Sequence, residues 1–207
     1  MALNPRWKLR IANNALFIDD LSLGKIILQQ NARPGLRPYI HPLCIPAPTG
    51  GGTLCLTEDS PWHHPWQHGI QTGFHGVNGC DFWLDPGQHP SLVIGTIEPS
   101  TPRITRNDPP GWMVEALWRH ADGTLLLAER QSWSLQMVDE LCLLDLAWTL
   151  RALTDIEIEQ HAYGGLFVRM PFRRAVGATV QNAAGQQDDA TEQQPAAWVD
   201  LHMPLEN

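Results

Sequence analysis

The sequence predicts an all-β protein, an antiparallel β-sandwich forming a single domain over residues 1–207. Three observations predict it. Charged residues are only 17% of the chain while Gly and Pro contribute 17 each, a balance that favours strands joined by loops over long helices. Cys142, Leu144, Leu146, Trp148 and Leu150 occupy every second position, the period of a strand with one face on a core. Pairs of Asn and Asp punctuate short apolar runs, as hairpin turns do.

The elements follow in order. Trp7 to Ile11, Ala15 to Ile18 and Lys25 to Leu28 are strands, separated by Asn13-Asn14 and Asp19-Asp20. Arg37 to Cys44 is extended, because Pro38, Pro42 and Pro46 oppose a helix. Met113 to Arg119 alternates, and Ala121-Asp122-Gly123 turns the chain. Thr124 to Gln136 is a long strand with Leu125, Leu127 and Trp133 on one side; Val138-Asp139-Glu140 turns again, into the strand at Cys142. Ile156 to Tyr163 alternates as well, with Glu157, Glu159, His161 and Tyr163 on one face. Gly164-Gly165 breaks that strand, and Phe167 to Phe172 resumes it. Gln181 to Ala197 is polar and reads as a surface loop, and Trp198 to Leu201 begins a further strand.

Hydrophobic residues make up 43% of the chain, enough for a sizeable core. The net charge is −8 and no basic run exists, which argues against nucleic-acid binding by phosphate neutralisation. No apolar run approaches the roughly 20 residues that span a bilayer, and the start, MALNPRWKLRIANNALF, lacks the apolar core of a secretory signal. The expected location is the cytoplasm. Cys44, Cys55, Cys80 and Cys142 form no CxxC pair and read as free thiols.

Chemistry concentrates in SPWHHPWQHGIQTGFHGVNGCDFW, Ser60 to Trp83. His63, His64 and His68 interleave with Trp62 and Trp66, while Pro61 and Pro65 make this a loop rather than a helix. Three functional readings compete. His64 or His68 is a general acid/base, since imidazole titrates near neutral pH. Alternatively His64, His68 and His75 ligate a divalent metal, though no HExxH spacing is present. In the third reading the segment holds a sugar: Trp62, Trp66 and Trp83 offer flat faces, while Gln67, His75, Asn78 and Asp81 pair with hydroxyls. The competing structural reading is that these histidines cap turns and share internal hydrogen bonds. Asn78-Gly79 makes a tight turn that returns Asp81 towards the histidine loop. The second constellation is the face bearing Glu157, Glu159, His161 and Tyr163, where a Glu serves as base and Arg169 fixes a ligand oxygen.

Arg37-Pro38-Tyr39 with His41-Pro42, then PWHHPWQHGI, VNGCDFW, and YGGLFVRMP at Tyr163 to Pro171, resemble a bacterial domain of unknown function labelled PmoA-like. The resemblance covers residues 37 to 171 and adds Tyr39 and His41 to the expected substrate-binding group. The label comes from a methane monooxygenase subunit, a helical membrane protein, and that activity is not carried over. What the resemblance implies is a sandwich similar to the galactose-mutarotase-like supersandwich, and an association with carbohydrate catabolism. Mutarotase-like enzymes pair a His acid with a Glu base, by analogy His68 or His161 with Glu157 or Glu159. The family domain is longer than this chain, so a shortened C-terminus is also expected. The leading expectation is an enzyme acting on a sugar or glycoside by His/carboxylate chemistry of isomerase, lyase or hydrolase type, with no cofactor. The alternatives are a non-catalytic carbohydrate-binding module and a metal-dependent enzyme.

Overall fold

A computed structural model describes residues 6–47, 52–138, 141–162 and 164–204. Among them there is no α-helix; strands dominate, and the sheets are antiparallel throughout. By its internal contacts the chain divides into two compact units, Met1–Arg169 and Met170–Asn207.

The first unit is a β-sandwich. One sheet contains β1 (Trp7–Ala12), β2 (Ala15–Asp20), β3 (Lys25–Asn31), β4 (Tyr39–Pro46), β6 (Ile70–Gly73) and β12 (Gly165–Val168) in that spatial order, with β5 (Thr53–Cys55) on β4. The opposing sheet runs β11 (Leu141–Ala152), β10 (Leu125–Val138), β9 (Pro110–Arg119), β7 (Thr96–Pro99), with β8 (Arg103–Asn107) also on β9. The β1–β2 hairpin turns where Asn13-Asn14 predicts it, and both residues take the left-handed conformation that Asn tolerates.

Two apolar clusters lie between the sheets. The larger joins Leu16, Ile18, Leu28 and Ile40 to Trp112, Trp133 and Leu135. The smaller gathers Val77, Cys80 and Phe82 with Ile97, Trp118 and Leu127, next to the candidate site. The predicted alternation of β11 holds: Cys142, Leu144, Leu146, Trp148 and Leu150 are its more sheltered face. On β10 the prediction needs one correction. A register shift between Leu125 and Leu127 leaves Leu125 exposed, so the inward row is Leu127, Glu129, Gln131, Trp133 and Leu135.

Ile156 to Ala162 is not the regular strand that its alternation predicts. It is an extended segment with a single antiparallel bridge, Ile158 to Val77, and Ile158 is exposed. Period two needs a ladder of backbone partners to become a strand, and here the partner is a turn. The Asp139-Glu140 turn and Tyr163 lie outside the described residues.

In the second unit β13 (Thr179–Asn182) pairs with β14 (Val199–His202), so the strand predicted at Trp198 to Leu201 has its partner within this unit. Between them Asp188–Thr191 forms a short 3-10 turn, where the sequence predicts a plain loop. Buried Asn182 organises the intervening turn: its Oδ1 accepts from the Ala184 and Gln186 amides, both at 3.1 Å.

Candidate functional site

The site is built on the turn at Val77 to Cys80. The amides and carbonyls of Val77 and Cys80 bond each other at 2.8 and 3.1 Å, and Asn78 and Gly79 both have positive φ. This is the tight turn that Asn-Gly predicts. It sends the chain back antiparallel to itself, so that the Phe82 amide reaches the Phe74 carbonyl at 2.9 Å. His75 and Asp81 therefore face each other across the hairpin. His75 Nδ1 donates to Asp81 Oδ2 in a short hydrogen bond. Asp81 Oδ1 accepts from the amides of Trp83 and Leu84, both at 2.8 Å. Asp81 is thus fixed from two sides before it fixes the histidine.

The same turn captures the segment after β11. Asn78 donates its amide to the Glu157 carbonyl at 2.9 Å, its Nδ2 to the Asp155 carbonyl at 3.0 Å, and accepts the Glu157 amide on Oδ1 at 2.7 Å. The Glu159 amide donates to the Gly76 carbonyl at 2.9 Å. These bonds bring His161 over His75, with ring centroids 3.8 Å apart and planes 20° from parallel. Gly76 has φ +54°, and a Cβ there would lie 2.7 Å from Glu159 Cβ. Glycine is required both for the conformation and for the approach.

His75, Asp81, Glu159 and His161 line a cavity of about 390 Å³, within the roughly 300–1,000 Å³ range of small-molecule sites. Trp66, Gln88 and His89 supply aromatic and polar lining, and Leu84, Leu92 and Val93 apolar lining. An adjoining hollow of about 300 Å³ shares His75, Glu159 and His161. Burial lowers the pKa of His75 below its ordinary 6.5; Asp81 pushes it back up, while His161 and Arg37 push it down. The net direction keeps the ring neutral near pH 7. With Nδ1 donating to Asp81, the neutral tautomer carries its lone pair on Nε2.

The other residues expected to act here are placed elsewhere. His68 is 5% exposed. Its Nδ1 meets Asp59 at 2.6 Å and the Ser60 hydroxyl at 3.0 Å, and its Nε2 meets Asp85 at 2.9 Å. Arg37, itself buried, donates to Asp85 at 3.1 Å. Two carboxylates against Arg37 balance only when His68 carries a charge. Burial works against that charge, but the hydrogen bonds to Asp59 and Asp85 outweigh it and raise the His68 pKa. Buried and with both nitrogens committed, His68 joins Asp59 to Asp85 and does not line the cavity, where the sequence expects a catalytic residue. Tyr39 stacks on it at 4.8 Å and is 2% exposed; burial, with the Asp59 charge, pushes its phenol up to about 12.

His64 sits in the loop, its ring edge-on to His63 and Trp66. Arg169 is spread across Glu58 (2.8 Å), Gln67 (3.1 Å) and His63 (3.2 Å), so Arg169 and Gln67 secure the loop to the sheet beside β12 rather than lining the cavity. His41 Nδ1 meets the Thr57 hydroxyl at 2.9 Å. The side chain of Asn78 is taken up by the 155–157 backbone, and Glu157 is exposed outside the cavity lining. Trp83 is buried beside His75, whereas Trp62 is 92% exposed. Tyr163, expected to bind substrate, lies outside the described residues. Among the described residues no group of three or more His, Cys, Asp or Glu is placed to hold a metal, and His64, His68 and His75 do not form one.

Sequence reasoning passed over Asp59 and Asp85 as partners of His68, and Arg37 as the partner of Asp85. It also missed Glu129. This buried carboxylate accepts from Thr72 (2.7 Å), Gln131 (2.7 Å), Trp148 (2.8 Å) and Trp118 (2.8 Å) between the two sheets. Its position in the inward row of β10, between Leu127 and Trp133, was the available signal.

The model of a family of unknown function, DUF6807, matches residues 27–207, and the chain belongs to that family. No curated protein and no solved structure matches it. Among the described residues no helix is long and apolar enough to cross a membrane.

Proposed function

We propose that the protein is an enzyme acting on a sugar or glycoside by histidine/carboxylate acid–base chemistry, with His75 as the base. The observation that carries this reading is the Asp81–His75–His161 stack on the wall of a cavity that also holds Glu159. A base needs an imidazole that is neutral at working pH and held in one tautomer. Burial supplies the first for His75 and Asp81 the second. The stacked His75–His161 pair takes the proton from a substrate hydroxyl or an acidic C–H, and Glu159 supplies one to the oxygen that gains charge. That exchange is common to isomerase, lyase and hydrolase chemistry on sugars. Trp66 offers a flat apolar face to a pyranose ring, and Gln88 and His89 offer partners for its hydroxyls. The resemblance of the sequence to a PmoA-like domain, and the mutarotase-like sandwich it implies, suggest the same substrate class; of the pairings His68 or His161 with Glu157 or Glu159, this reading keeps His161 and Glu159 and adds His75 as the base.

The test is a proton-NMR panel of free aldoses and simple glycosides, followed for anomer exchange, isomerisation and cleavage, with the imidazole signals of His75 and His161 read in parallel. The expected result is conversion of one sugar class, lost in His75→Ala, with the two imidazole signals moving on sugar addition. Sugar binding that leaves both signals unmoved would place the site elsewhere. Signals that move without conversion of any sugar would reduce the protein to a carbohydrate-binding module.

A further inference from the structure

The β4–β5 hairpin carries two cysteines that the proposed chemistry does not use. Cys44 and Cys55 are directly opposite in the antiparallel register, with Ile45 opposite Leu54 and Pro46 opposite Thr53. The type of pair follows from the flanking bonds. The Leu56 amide donates to the Leu43 carbonyl at 2.7 Å, and the Ala47 amide donates to the Gly52 carbonyl at 3.0 Å. Hydrogen-bonded and non-hydrogen-bonded pairs alternate along an antiparallel ladder. The pairs at 43/56 and 47/52 are hydrogen-bonded, so 44/55 is a non-hydrogen-bonded pair. Such pairs place Cα atoms about 4.5 Å apart with the side chains close, and a disulfide accepts a Cα separation of roughly 4.4–6.8 Å. The backbone is therefore already at bonding distance.

Access is asymmetric. Cys55 is exposed, while Cys44 is 8% exposed. The neighbouring Cys44 thiol, helped by Thr57 and nearby His41 and opposed by burial, lowers the Cys55 pKa. Both are free thiols in this structure.

We propose that Cys44 and Cys55 are a thiol-exchange site, taking a low-molecular-weight disulfide such as oxidised glutathione and closing a cross-strand bond between β4 and β5. The Cys55 thiolate attacks one sulfur of the small disulfide, forming a mixed disulfide and releasing one small thiolate. The Cys44 thiol loses its proton, its sulfur attacks Cys55, and the second small thiolate leaves. Two protein thiols are oxidised to one disulfide, and the small disulfide is reduced to two thiols. The bond clamps β5 to β4 just ahead of Thr57, which holds His41 and the Leu43 amide, and of Asp59, which holds His68.

The test is incubation of the folded, reduced protein with a glutathione redox series, quenching with N-ethylmaleimide, and peptide mapping without reduction. The expected result is one intramolecular peptide joining Cys44 to Cys55, a mass lower by two hydrogens, and alkylated Cys80 and Cys142. A Cys44→Ser variant should instead stop at glutathione on Cys55. Full alkylation of all four cysteines across the series, or a stable mixed disulfide on Cys55 in the unaltered protein, would overturn the proposal. A Cys44–Cys55 link found only between two chains would overturn it too.

Discussion

Replacing Glu129 by Gln tests whether the sandwich is held by a buried polar hub as well as by apolar packing. The carboxylate accepts three donors on Oε1, from Thr72, Gln131 and Trp148, and one on Oε2, from the Trp118 indole. A glutamine has one acceptor oxygen. Its best orientation keeps the three donors on that oxygen and turns its NH2 towards Trp118, so that two donors face each other. Leaving one buried donor without an acceptor costs about 1–3 kcal/mol. The three remaining bonds lose their charge assistance, at roughly 0.5 kcal/mol each. Removing a buried charge returns part of this. The expected loss is about 2–4 kcal/mol, a large share of the roughly 5–15 kcal/mol that holds a domain. Urea unfolding followed by tryptophan fluorescence reads it as a lower midpoint at unchanged slope. Trp118→Phe removes the conflicting donor, so the double variant should lose less than the sum of the singles, by about 1 kcal/mol or more. A Glu129→Gln midpoint unchanged, or strict additivity with Trp118→Phe, would refute the hub.

Asp81→Asn removes the charge that pushes the His75 pKa up, so the His75 titration should fall further below 6.5 in an NMR pH series. Turnover of any sugar found should drop on the order of a hundredfold with binding kept, since the tautomer is no longer enforced. Gly76→Ala should lower both stability and ligand affinity, because φ +54° and the 2.7 Å approach to Glu159 Cβ each oppose a side chain; about 1–2 kcal/mol in the melting curve is expected. The two buried histidines should act oppositely with pH. The His68 pKa is raised in the fold, so its contribution is complete below its unfolded value near 6.5 and is lost as pH climbs through the folded value. The His75 pKa is lowered, so its contribution is complete above 6.5 and is lost as pH falls towards the folded value. Urea midpoints across this range, repeated with His68→Gln and His75→Gln, should each lose one limb of the profile.

The sequence made the strands legible wherever an apolar row alternates beside a recognisable turn. β1, β2 and the long β11 follow this rule, as does the Asn78-Gly79 turn. It failed at Ile156 to Ala162, because alternation describes side chains and says nothing of a backbone partner. On β10 it put Leu127 and Trp133 on one face, but the polarity of Glu129 and Gln131 between them masked that they share it. Glu129 meets the indoles of Trp118 on β9 and Trp148 on β11, and both Glu129 and Gln131 bond the Thr72 hydroxyl of the opposing sheet. The candidate site was half legible. His75, Asp81, Glu159, His161 and Trp66 do meet at one cavity, but nothing local separates them from His64 or His68.

What separates them is the company each imidazole keeps. His68 lies between two carboxylates and beside a guanidinium, an environment neutral only when the ring is charged. A ring whose pKa is raised, bonded through both nitrogens and covered by Tyr39, is poorly placed to take a proton from a ligand. His75 has one carboxylate, a stacked second imidazole and an open cavity beside it. One carboxylate orients a ring without fixing its charge, and the neighbouring His161 disfavours a second proton. Seven residues apart in one loop-and-hairpin segment, the two histidines differ in that His68 meets a second carboxylate, Asp85, through Nε2, whereas His75 stacks on His161 and lines the cavity.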